Sequence, residues 1–120
     1  MALTAEQWFP SVIWSGLLSG ADNQALETYA YDRKQLDEGV QVSNYLGWQS
    51  GPVRQDDNEA FDVLVNAITE QVNGCAVQAD IPELAIQNIW ININGPGSYN
   101  HLHNHAGSIL SGVYYVNATP

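Results

Sequence analysis

The chain has 120 residues, 45% of them hydrophobic and four of them tryptophan, enough for one domain with a core. Three basic residues against thirteen acidic ones give a formal net charge of −10, which argues against nucleic-acid backbones and anionic membrane surfaces as partners, because both require a basic patch. The single Cys75 excludes an intrachain disulfide, no apolar run approaches the ~18 residues of a membrane span, and the N-terminus lacks the basic-then-apolar pattern of a secretion signal, so a cytoplasmic setting is expected.

The first apolar stretch, Trp8-Phe9-Pro10-Ser11-Val12-Ile13-Trp14, carries an internal proline and reads as an edge strand or an extended lead-in. Asp22 or Asn23 can cap a helix running to about Lys34, with Leu26, Tyr29 and Ala30 on one side. Gly39 to Pro52 is loop-like in its glycine and proline content, with aromatic residues that should pack down. Phe61, Leu64, Val65, Ile68 and Val72 repeat at the spacing of a buried helical stripe. Asp56 or Asp57 is the expected N-cap of that helix, and Asn73-Gly74 its expected terminator.

Beyond Pro82 the period changes to two. Ile89, Ile91 and Ile93 alternate with Asn88, Trp90, Asn92 and Asn94, the pattern of a strand with one apolar and one polar-aromatic face. Gly95-Pro96-Gly97 breaks it, and Ser108 to Asn117, centred on Val113-Tyr114-Tyr115-Val116, reads as a further strand by β-propensity. Helices first and strands later predict an α+β fold, helices backing an antiparallel sheet, in a single domain with a helical lead-in over 1–82 and strands over 83–120.

All three histidines, His101, His103 and His105, lie in the strand–turn–strand run from Trp90 to Pro120. Residues two apart on a strand share a face, and imidazole is the commonest transition-metal ligand among side chains. Alpha carbons two apart are separated by about 6.5 Å and four apart by about 13 Å, and a metal–nitrogen bond is about 2 Å. One ion can therefore take His101 with His103, or His103 with His105. A third ligand from this chain has to be a carboxylate or Cys75. The plainer reading is that the imidazoles are surface residues hydrogen-bonded to Asn100 and Asn104. Cys75, at a helix end without a basic neighbour in sequence, reads as structural. No nucleophile elbow, phosphate loop or paired-cysteine motif is present.

The segments F-P-S-V-I-W, S-N-Y-L-G-W-Q-S and, above all, W-I-N-I-N-G-P-G-S-Y-N-H-L-H-N-H-A-G-S-I-L-S-G-V-Y-Y-V resemble the 2-oxoglutarate- and Fe(II)-dependent oxygenases of phages and marine bacteria. The resemblance implies a double-stranded β-helix (jelly roll) with N-terminal helices packed on one sheet, and hydroxylation of a substrate whose identity the sequence does not give. By position, His103 matches the first iron ligand, and His105 stands where the superfamily commonly has Asp or Glu in its two-histidine, one-carboxylate triad. Tyr115 resembles the strand tyrosine that hydrogen-bonds 2-oxoglutarate, and strand phase puts Asn92 and Asn94 beside it.

The family's distal histidine and its 2-oxoglutarate-pairing basic residue have no counterpart, since the basic residues are Arg33, Lys34 and Arg54. The chain is thus expected to be the N-terminal part of such an enzyme, with little or no turnover of its own. Two alternatives stand beside this reading. One is a cupin-like metal-binding jelly roll, because Gly97 with His103-x-His105 gives half of the cupin signature but Ile109 and Leu110 stand where its glutamate falls. The other is a non-catalytic phage or structural β-domain. Strand edges free of lysine further predict a homo-oligomer formed through open sheet edges.

Overall fold

The computed structural model describes residues 2–118. Helix α1 (Asn23–Leu36) starts at Asp22, whose side chain accepts the Ala25 N–H, and ends on Arg33 and Lys34, cations placed favourably at the negative end of the helix dipole. Four two-residue strands surround the second helix in chain order: β1 (Asn44–Tyr45), β2 (Trp48–Gln49), α2 (Glu59–Gln78), β3 (Asn92–Ile93) and β4 (Tyr99–Asn100). The architecture is α+β, with two helices and two small antiparallel sheets, β1 with β4 and β2 with β3.

The stripe read from the sequence supplies the core as far as Ile68, with Val72 half-buried outside it. Phe61, Leu64 and Val65 of α2 are buried with Leu26 of α1 and Val53, and Ile68, Ile86, Ile89, Ile91, Tyr114 and Val116 pack against that cluster. Tyr29 meets Phe61 with ring centres 6.0 Å apart. The helices thus form one layer, and the chain from Ile86 onward crosses it as a second. Arg33 fastens the helical layer to the preceding loop, donating to the Pro52 carbonyl at 3.2 Å and lying 4.0 Å from the Asp57 carboxylate.

Both ends of α2 differ from expectation. Asn58, not Asp56 or Asp57, is the N-cap, its Oδ1 accepting the Phe61 N–H at 3.1 Å. Asp56 instead has φ +70° and donates its N–H to the Asp62 carboxylate, so it shapes the approach to the helix. At the other end the helix runs through Asn73-Gly74 to Gln78. The Asn73 side chain does not terminate it, because its amide is committed elsewhere: Oδ1 accepts the Leu84 N–H at 2.8 Å and Nδ2 donates to the Leu84 carbonyl at 3.1 Å. That pair of bonds fixes the chain as it leaves the helical layer.

The loop expected over Gly39–Pro52 contains β1 and β2, and one of its two aromatic residues packs down, Trp48 being buried with its indole N–H on the Asp37 carbonyl at 3.0 Å while Tyr45 stays exposed. It becomes strand because a partner arrives from far along the sequence, which local composition does not report. The strand expected over Ser108–Asn117 is absent in the described residues: the segment lies against the core through Tyr114 and Val116 without a ladder. β-propensity favours the extended shape, but a strand needs a neighbour to receive its hydrogen bonds. The lead-in Trp8–Trp14 is likewise unpaired and largely exposed, touching α2 where the Trp14 indole donates to the Gln78 side chain at 3.0 Å.

Ser50 is the most deeply buried polar residue among those described, 1% exposed. Its hydroxyl accepts the Ile91 N–H at 2.9 Å and donates to the Gly51 carbonyl at 2.7 Å. Ser50→Ala leaves the Ile91 donor without a partner, and we expect a loss of about 1–3 kcal/mol in unfolding free energy. Urea denaturation followed by tryptophan fluorescence measures it, and an unchanged midpoint would contradict this placement.

Candidate functional site

The histidines are delivered by a seam between two distant stretches, 43–53 and 89–101. Asn44 stands opposite Asn100 and Tyr45 opposite Tyr99, while Trp48 stands opposite Ile93 and Gln49 opposite Asn92. Backbone bonds continue the seam at both ends, from Val53 N–H to the Ile89 carbonyl at 2.9 Å and from His101 N–H to the Ser43 carbonyl at 2.7 Å. Between the two ladders, Gly95-Pro96-Gly97-Ser98 turns outward. Ser98 N–H donates to the Gly95 carbonyl at 3.0 Å, and Gly97 has φ +81° after a proline, the pattern of a type II turn.

Buried Asn44 holds the opposite side of this crossing. Its amide donates to the Val40 and Gly47 carbonyls, each at 3.1 Å, and its Oδ1 accepts the Val42 N–H at 2.8 Å. Gly47 is required here by space: a Cβ would run into the Asn94 side chain and the Ile93 carbonyl. Asn94 in turn donates to Asn100 Oδ1 at 3.3 Å, and Asn100 donates to Ser43 Oγ at 3.1 Å.

The histidine rings divide into two groups. His101 packs edge-on against Tyr99 and Tyr45, with ring centres 5.2 and 6.1 Å away. His103 and His105 face each other, centres 4.9 Å apart and planes at 83°, and Trp90 lies 5.8 Å from His105. Of the two pairs open from spacing, the structure brings together His103 with His105, both exposed. His103 Nδ1 sits 2.6 Å from the His101 carbonyl. A carbonyl only accepts, so Nδ1 is the donor, and in the neutral ring Nε2 then keeps its lone pair, the tautomer a metal ligand needs.

Two imidazoles at this separation fit a single ion as a partial ligand set. Among the described residues no group of three or more His, Cys, Asp or Glu converges, and Cys75, half-buried on α2, is not brought to the pair. No Asp, Glu, Lys or Arg occurs after Glu83, so the histidine segment has no carboxylate of its own to offer. Asn92 lies exposed on β3 opposite Gln49, and Asn94 is engaged with Asn100. Tyr115 is 73% exposed, on the side of its segment away from Tyr114 and Val116, and takes no part in the His103–His105–Trp90 cluster.

Trp90, Tyr45 and Tyr99 were not candidates from spacing. The signal for two of them was present, since Trp90 shares its phase with Asn92 and Asn94, and Tyr99 with His101 and the later histidines. Tyr45 joins through the long-range seam and leaves no such mark.

With the geometry in place, comparison with known proteins adds one finding. The family described as “Putative 2OG-Fe(II) oxygenase” matches residues 88–120. This segment is similar to that oxygenase superfamily. No curated protein matches the chain, and no solved structure does. The matched residues contain β3, the type II turn, β4 and all three histidines. No helix among the described residues is long and apolar enough to cross a membrane.

Gly47 offers a direct check on how the seam positions this segment. Gly47→Ala should displace the Asn94 side chain, break its bond to Asn100 and cost about 1–3 kcal/mol through overpacking. Side-chain amide resonances of Asn94 and Asn100, together with the denaturation midpoint, report both effects. Unperturbed amides would show that the close approach is absent.

Proposed function

We propose that this chain carries the iron-binding segment of a 2-oxoglutarate- and Fe(II)-dependent oxygenase, with His103 and His105 as metal ligands. The observation that supports this most is the match over residues 88–120 coinciding with two histidine rings 4.9 Å apart. His103 is the better defined ligand, because the bond from its Nδ1 to the His101 carbonyl sets the tautomer and orients the ring. His105 takes the position at which a carboxylate is commoner, and its ring is steadied by Trp90. Iron, when bound, supplies the redox chemistry that couples decarboxylation of 2-oxoglutarate to hydroxylation of a substrate.

Within this reading Tyr115, Asn92 and Asn94 are the residues that meet 2-oxoglutarate, by hydrogen bonding alone. A neutral hydrogen bond is roughly half as strong as a charge-assisted one, and this segment contains no Lys or Arg to pair with the distal carboxylate. Cosubstrate affinity should therefore be low, and turnover with it. The jelly roll implied by the family belongs to this proposal as well, with the 43–53 and 89–101 seam as two of its strand paths. A cupin-like site would share the histidine pair and differ in having no use for 2-oxoglutarate.

Two measurements test the proposal. Anaerobic titration with Fe(II), or with Co(II) as a spectroscopic surrogate, should show binding that His103→Ala weakens by about tenfold or more, in the range for loss of one ligand or its orienting partner. Unchanged metal uptake by His103→Ala would remove the assignment. Adding 2-oxoglutarate to the iron-loaded protein should produce a charge-transfer absorption band, and its absence with iron bound would favour the cupin-like alternative. Succinate release from 2-oxoglutarate should stay far below the ~10 s⁻¹ of a typical enzyme. A normal rate would show that the cation missing from this segment is supplied from elsewhere.

A further inference from the structure

Asparagine followed by glycine is chemically labile, because no side chain on the glycine hinders attack by its nitrogen on the asparagine amide carbon. The chain has two such pairs, Asn73-Gly74 and Asn94-Gly95, and the fold treats them oppositely. Asn73 lies half-buried within α2 with its amide held at both ends. Its Nδ2 donates to the Thr69 and Leu84 carbonyls at 3.0 and 3.1 Å, and its Oδ1 accepts the Leu84 N–H at 2.8 Å. Gly74 is helical as well, so its N–H is committed to the carbonyl four residues back. Neither the nitrogen nor the amide is free to react.

Asn94 is the reverse case. It is exposed just past the end of β3. Among the described residues its amide makes a single hydrogen bond, to Asn100 Oδ1 at 3.3 Å, beyond the usual range for such bonds. The Gly95 N–H makes no hydrogen bond to any described residue. A Cβ built on Gly95 meets nothing within 4 Å, so the space beside that residue is open. An unengaged nitrogen thus adjoins a loosely held amide.

We propose that Asn94 is a self-modification site, at which the Gly95 nitrogen attacks Asn94 Cγ and the side-chain amide is lost. The N–Cγ bond forms, the Cγ–Nδ2 bond breaks, and ammonia departs with the proton that the Gly95 nitrogen gives up. Water then opens the five-membered imide at either carbonyl, leaving Asp or its isoaspartyl isomer at position 94. The attack requires a deprotonated amide nitrogen, so the reaction quickens as pH rises. Its product falls on a link of the seam, the chain of bonds from Asn94 to Asn100 to Ser43. A carboxylate at 94 has no hydrogen to give Asn100 Oδ1. It also brings the first charge to the stretch from Leu84 onward, which contains no Asp, Glu, Lys or Arg. The isoaspartyl form adds a carbon to the main chain between β3 and β4, whose registers on β2 and β1 fix both sides of the turn. His101, bonded to the Ser43 carbonyl beside that register, is the histidine displaced first.

The test is peptide mapping by mass spectrometry of the folded chain, held at physiological temperature at neutral and at mildly alkaline pH. The Asn94 peptide should gain the mass of an amide-to-acid exchange, faster at the higher pH, while the Asn73 peptide stays unmodified. Unfolding in urea should make the two sites react at similar rates, since only the fold separates them. Gly95→Ala, for which the structure has room, should slow loss of the Asn94 amide by about tenfold or more, because its Cβ restricts the backbone and crowds the nitrogen. In the modified chain the His101 N–H should lose protection against hydrogen exchange. Equal rates at Asn73 and Asn94 in the folded chain, an Asn94 amide that survives folded but is lost in urea, or a Gly95→Ala chain as labile as wild type would overturn the proposal. Retained protection of His101 in the modified chain would overturn its consequence for the seam.

Discussion

The antiparallel seam between residues 43–53 and 89–101 is the contact on which the rest of the molecule depends. The helical layer can form from local stripes and caps, but this seam is what joins residues 43–53 to the segment that carries the histidines. Its bonds are long-range in sequence, as between Val53 and Ile89 or His101 and Ser43. Such pairing must overcome loop-closure entropy before it stabilises anything. The offset comes from burial at both ends of the crossing: Trp48 and Val53 go into the interior, and Asn44 and Ser50 satisfy the backbone groups that the irregular crossing leaves over. Leu46, with φ +60° in the step between the two ladders, shows the strain accepted to make that crossing.

The parts of the fold legible in the sequence are those decided by neighbours three or four residues away. Phe61, Leu64 and Val65 are buried at the helical spacing, and Asp22 caps α1. Ile89 and Ile91 face the core as their alternation implied, with Asn92 exposed between Ile91 and Ile93. What sequence reading missed was decided at a distance. Asn73-Gly74 has the composition of a helix end, yet Asn73 spends its amide on Leu84, eleven positions away. Glycine-rich 39–52 has the composition of a loop, yet its strands exist because 92–100 arrives beside them. Val113 to Val116 has the composition of a strand, and among the described residues none forms a backbone ladder with it.

The candidate site was legible to the same degree and for the same reason. Period two placed neighbouring histidines on one face but left His101–His103 and His103–His105 equivalent. The choice between them comes from aromatic residues outside the motif, because Tyr45 and Tyr99 hold the His101 ring away from the pair. The tautomer of His103 was not readable at all, since it depends on where the His101 carbonyl points. Neither composition nor spacing carries carbonyl direction.

Precision at a metal centre depends on how firmly each ligand is tied to the rigid part of the fold, with tolerances of about 0.5 Å. In this chain the tie weakens along the sequence. His101 is bonded to the seam through its own N–H at 2.7 Å. His103 inherits that anchor through the 2.6 Å bond from its Nδ1 to the His101 carbonyl. His105 has a ring contact with Trp90, itself on the seam, and a turn bond through its carbonyl from Ser108 at 3.1 Å. Beyond that turn lies Tyr115, on a stretch held through its neighbours, by the packing of Tyr114 and Val116 on the core and the Tyr114 hydroxyl on Asn23 Oδ1 at 2.6 Å. Of the two proposed iron ligands His103 is thus the better fixed, and Tyr115, proposed to meet the cosubstrate, is the least fixed.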